Sequence, residues 1–142
     1  MGTRSLTKVI QTWEDKTGET HSRPITCMYR QFDGYMSGHG AELAEWLSQY
    51  TVVNGIQMKH DKDKIFNGMD CLAAQMFQHF KDGPGTIYCM HPDASDCQEE
   101  YLYEISEEDK QIYLTVYEIE FKGGATEIFH GTPEEYIGKN SY

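Results

Sequence analysis

The apolar stripe Met69, Leu72, Ala73, Met76, Phe77 and Phe80 constrains the fold of this chain more than any other feature. Its spacing of i, i+3, i+4, i+7, i+8 and i+11 can lie on one face only of a helix, and Lys81-Asp82-Gly83-Pro84-Gly85 then stops it. Beyond that stop the pattern changes to a period of two. Residues 86–91, 100–106, 112–121 and 125–130 are rich in Tyr, Ile, Val and Thr, and Tyr101, Tyr103 and Ile105 alternate with Leu102 and Glu104. Before the stripe, residues 5–14 and 25–32 read as a strand pair joined by the turn Asp15-Lys16-Thr17-Gly18. An earlier helix carries Leu43, Trp46, Leu47 and Tyr50 on one face, with Glu42 and Glu45 on the other, and ends before Thr51. Thr132-Pro133-Glu134-Glu135 opens a short last helix that Gly138 can end. The order β-β-α-α-β-β-β-β predicts an α+β domain over residues 1–142, with an antiparallel β-sheet of about six strands and two helices packed on one face. His60 to Lys64 is expected to be a charged connector.

Charge narrows the class of partner. Residues 1–92 hold nine Lys/Arg against ten Asp/Glu, whereas residues 93–142 hold three against thirteen, so nearly all of the net −11 sits in the last third. Direct nucleic-acid binding needs a basic footprint and is not expected. A small anionic ligand remains compatible with the first thirty residues, which contain all the arginines, Arg4, Arg23 and Arg30. No apolar run reaches the length of a membrane span, and the N-terminus lacks a signal-peptide core, so a soluble cytoplasmic protein is expected. The four cysteines have no paired spacing and are expected to be reduced. Cys89, His91 and Cys97 match no common closed zinc site, so neither a metal nor a cofactor is expected.

The candidate site is the link between the second strand and the first helix, Tyr29-Arg30-Gln31-Phe32-Asp33-Gly34-Tyr35-Met36-Ser37-Gly38-His39-Gly40. Gly34, Gly38 and Gly40 let the backbone take positive φ or approach a bound group closely, and a helix start offers unpaired N–H groups to an anion. Arg30, Gln31, Asp33, Tyr35, Ser37 and His39 add polar side chains of six types. In an antiparallel pair, Arg4 and Arg30 fall at the same end, so both are assigned to the site. This inventory predicts non-catalytic binding of a small anionic, nucleotide-like ligand. One alternative is a nucleotide or phosphodiester hydrolase using Asp33 and His39 as an acid/base pair; another is an acidic protein that occupies a host protein's nucleic-acid site. No Walker loop, dinucleotide fingerprint or Gly-x-Ser-x-Gly element is present. A homodimer or higher symmetric oligomer is expected from the exposed sheet edges and the ten tyrosines.

Gly2-Thr3-Arg4-Ser5, the link Tyr29 to Gly40, Cys71-Leu72-Ala73-Ala74-Gln75 and His79-Phe80-Lys81-Asp82-Gly83 together resemble small proteins encoded by phages and prophages. The resemblance covers roughly the first ninety residues. Met36 stands where that group commonly has proline. Most of the group carries no assigned activity; by analogy of size and setting, the resemblance implies a counter-defence protein that sequesters a cyclic-nucleotide or ADP-ribose-type immune signal.

Overall fold

The computed structural model describes residues 2–59 and 64–139. Residues 60–63 of the expected charged connector lie outside the described residues. The strands are β1 (Ser5–Glu14), β2 (Thr20–Arg30), β3 (Thr51–Val53), β4 (Ile65–Asn67), β5 (Ile87–Met90), β6 (Tyr101–Glu108), β7 (Gln111–Ile119) and β8 (Ala125–Gly131). The helices are α1 (Ala41–Ser48), α2 (Gly68–Phe80) and α3 (Pro133–Gly138). A π-helical turn, Met36–Gly40, runs directly into α1.

Six strands form one sheet in the order β5-β2-β1-β6-β7-β8. The α+β class is as expected, but the sheet is mixed rather than wholly antiparallel, because β1 and β6 pair in parallel from Ser5↔Tyr101 to Val9↔Ile105. Parallel neighbours cannot be joined by a hairpin. Here β1 and β6 are far apart in sequence, and β6 enters the sheet only after the helices and β5. A second, two-stranded parallel sheet of β3 and β4 was not anticipated; three-residue strands are too short for periodicity to reveal.

One core covers one face of the large sheet. Val9, Met28, Ile87, Tyr103, Ile105, Leu114, Val116 and Phe129 alternate inward from the strands and meet Leu43, Trp46 and Leu47 of α1 with Leu72 and Met76 of α2. Tyr136 of the capped helix α3 closes the same core. Leu6 and Cys27 are buried on the other face, where no helix lies among the described residues. Desolvation there pushes the Cys27 thiol up to about 11.

The hairpin β1–β2 changes register between Val9 and Ile10, where Ile10 pairs with Pro24. A bulge accommodates a proline, which has no N–H to donate. Beyond it, among the described residues, the two strands of the hairpin pair only with each other, since β6 follows β1 as far as Val9 and β5 follows β2 back to Cys27.

Candidate functional site

The link between β2 and α1 turns its polar groups inward. His39 is fully buried, and Nδ1 lies 3.0 Å from Arg30 Nη1 while Nε2 lies 2.7 Å from Thr7 Oγ1. A guanidinium can only donate, so Nδ1 accepts from Arg30 and the protonated Nε2 donates to Thr7. Burial, with the Arg30 charge alongside, holds the imidazole neutral and lowers its pKa to about 3. The ring is further packed by Phe80 and by the edge of Tyr103, each with centroids 5.1 Å away.

Arg30 is equally committed. Its Nη1 donates to Glu42 Oε2 at 2.5 Å as well as to His39, and its Nε donates to the Phe32 carbonyl at 2.8 Å. The arginine side chain is 12% exposed, against 56% for Glu42. Glu42, placed by periodicity on the outer face of α1, is thus the acidic partner of the expected ligand-binding cation.

The glycines serve close packing rather than positive φ. Asp33 is the residue of this link in the left-handed region, with φ 60, and Gly34, Gly38 and Gly40 are not. A Cβ on Gly34 would lie 2.7 Å from Ser5 Cβ, and one on Gly38 would lie 2.5 Å from the Asp33 carbonyl oxygen. A Cβ on Gly40 would land on Tyr136 Oη, the group that donates to the Met36 carbonyl at 2.7 Å. Tyr103 Oη donates to the Gly34 carbonyl at 2.7 Å. Two buried phenols from the last third of the chain therefore hold the link from inside. The N–H groups are used as well: His39 donates to the Asp33 carbonyl, Gly38 to the Tyr35 carbonyl, and Ala41 to the Gly38 carbonyl.

Phe32, Asp33, Tyr35 and Ser37 remain outside, with Phe32 45% and Tyr35 40% exposed. Gln31 is half-buried and its backbone N–H donates to Thr86 O. The Asp33 carboxylate faces Tyr35 Oη at 3.4 Å, whereas its backbone carbonyl, not its side chain, meets His39. The structure therefore brings together Arg30 and His39 with Thr7 and Glu42, and leaves Asp33 on the surface.

Arg4 belongs to a different feature. Its Nε donates to the Gln98 carbonyl at 3.0 Å, and it lines an open groove of about 680 Å³ with Gly2, Thr3, Asp96, Glu99, Glu100, Glu120 and Phe121. Phe32 adjoins the rim, because its ring lies against Gly2. The groove wall is conformationally strained: Asp96 and Gln98 hold φ 56 and 61, in the region that favours glycine. Among the described residues, four acidic side chains against one guanidinium make this groove acidic. Sequence reasoning located the acidic third of the chain but not this groove, which forms where three segments distant in sequence meet. Its signal in the sequence was Asp96, Glu99 and Glu100 immediately before a strand.

No family model, curated protein or solved structure matches this chain. The chemistry of its own residues carries the functional reading.

Proposed function

We propose that this chain is a non-catalytic binding protein whose acidic groove receives a basic segment of a partner protein. The carrying observation is the groove itself: about 680 Å³, open, lined by Asp96, Glu99, Glu100 and Glu120, with a single arginine already tied to Gln98 O. That volume is within the range of binding clefts. A negative concave surface draws in and orients lysine and arginine side chains, and fully exposed Phe121 offers apolar contact at the edge. In the cytoplasm, a host's if the chain is phage-encoded, such a protein competes for the basic surface of a nucleic-acid-binding target. The test is titration with Lys/Arg-containing peptides: binding that weakens with added salt and with Glu99→Gln/Glu120→Gln supports the reading, and binding indifferent to both sinks it.

A second reading keeps the small anionic, nucleotide-like ligand and seats it on the outer rim of the β2–α1 link. The observation that favours it is Arg30, a guanidinium oriented by Phe32 O and His39, whose acidic partner Glu42 is half-exposed and exchangeable for a phosphate. Phe32 and Tyr35 would then stack on a base. Incubation with cyclic nucleotides and ADP-ribose-type compounds, followed by heat denaturation, separates the outcomes. Intact ligand released on unfolding means sequestration; altered ligand means hydrolysis, a role in which sealed, neutral His39 is poorly suited to move protons; no ligand retained after incubation removes this reading.

A symmetric homo-oligomer accompanies either reading. β5 and β8 are the edges of the large sheet, and Tyr29, Leu102, Tyr113 and Tyr117 stand half-buried on the face without helices. Light scattering giving a monomer mass would defeat it, and Tyr117→Asp leaving an oligomer unchanged would place the interface elsewhere.

A further inference from the structure

The outer half of the β1–β2 hairpin carries a group of side chains that neither proposed ligand uses. At its tip, His21 Nε2 and Asp15 Oδ2 are 2.7 Å apart, and one ligand atom from each of Asp15, Glu19 and His21 lies within 4.8 Å of the other two. The group combines an imidazole nitrogen with two carboxylates, the donor types that first-row divalent ions take.

Two of the three donors are held before any ion arrives. Asp15 Oδ1 accepts from Thr17 N at 2.8 Å, Thr17 Oγ1 at 2.6 Å and Glu19 N at 3.1 Å, which turns Oδ2 toward the imidazole. His21 stacks on its cross-strand partner Trp13 at 5.3 Å between centroids and 23° between planes. The Arg23 guanidinium lies over the same indole, 5.3 Å from its centroid, and steadies the platform. Partners of this kind fix ligand orientation in metal sites. Glu19 is exposed, with a ligand atom within 4.8 Å of those of the other two donors.

We infer that Asp15, Glu19 and His21 form a binding site for a first-row divalent cation of the zinc, nickel or copper type, with the remaining coordination positions open to water or to a donor from another molecule. The ion replaces the hydrogen bond between His21 Nε2 and Asp15 Oδ2: Nε2 offers its lone pair to the metal, and the ring carries its N–H on Nδ1. Because the site stands on the hairpin beyond the bulge, its filling leaves the core undisturbed.

The experiment is calorimetric titration of chelator-stripped full-length protein with Zn²⁺, paired with Cu²⁺ or Ni²⁺ titration followed by tryptophan fluorescence. One ion per chain at micromolar concentration is expected, with quenching carried by Trp13, so that Trp13→Phe removes the optical change and keeps the heat. His21→Gln should weaken binding at least ~10-fold, and Glu19→Gln, which leaves the Asp15–His21 pair in place, by a smaller factor in the same direction. His91→Ala, which removes a second surface His–Asp pair, should change nothing. An adventitious ion only, seen as heat and quenching confined to millimolar metal, overturns the assignment. So does binding retained in both His21→Gln and Glu19→Gln, or lost in His91→Ala.

Discussion

The β2–α1 link and the acidic groove touch at Phe32 and Gly2, and both are crowded with polar residues, yet they use them in opposite ways. In the link, Arg30, His39 and the N–H groups of the π-helical turn bond to the protein itself, and Tyr103 and Tyr136 reach in from the last strands and helix to bind its carbonyls. In the groove, the acidic residues Asp96, Glu99, Glu100 and Glu120 line an open space. Ionisable groups so close in kind differ because burial forces pairing, whereas solvent tolerates an unpaired charge. A dense polar motif is therefore not in itself a ligand site: what counts is how much of it the fold has already consumed.

Four changes break or sharpen this contrast. The largest effect is expected from Gly40→Ala, whose methyl group displaces the fully buried Tyr136 ring and its bond to Met36 O. A loss of about 3 kcal/mol in denaturant unfolding is expected; a change under about 1 kcal/mol would mean that the link is loosely packed. Arg30→Ala comes next. It strips partners from buried His39 and from Phe32 O, and should lower stability by about 2 kcal/mol, well beyond a surface substitution. A variant with unchanged melting that loses nucleotide-like ligand would instead return Arg30 to a binding role.

His39→Gln should cost about 1 kcal/mol at neutral pH, since the amide can still accept from Arg30 and donate to Thr7. Its sharper signature is in acid. The His39 pKa is depressed in the folded state, to about 3 from 6.5, so the unfolded chain binds the extra proton first. This contribution to stability is fully present above pH 6.5 and is lost as pH falls through that window toward about 3. Unfolding followed from pH 7 to pH 4 should show a steeper decline in the unmodified protein than in His39→Gln; equal slopes would show that the imidazole is open to water. The smallest effect on stability, within about 0.5 kcal/mol, is expected from Glu99→Gln/Glu120→Gln in the groove, where a fall in affinity for a basic peptide is the readout. Destabilisation equal to that of the link variants would erase the distinction between the two regions.

Much of the fold was legible from the sequence because it follows from local periodicity. The Met69 to Phe80 stripe became α2, the alternation around Tyr103 became β6, and Thr132 became the capping residue of α3, its Oγ1 accepting from Glu135 N. The link at Tyr29 to Gly40 was also legible as a special stretch, since glycines and unlike polar side chains at that density demand a structural reason. Which reason applied was not legible. That Arg30 meets Glu42 rather than Arg4, that Gly40 yields to Tyr136 ninety-six residues later, and that β1 lies parallel to β6 all depend on which distant segments come together. Local sequence sets the period of an element and the face it buries. Whether a polar group on that face meets a partner or water is decided by desolvation and by long-range packing, which exist only once the whole sheet has closed on its helices.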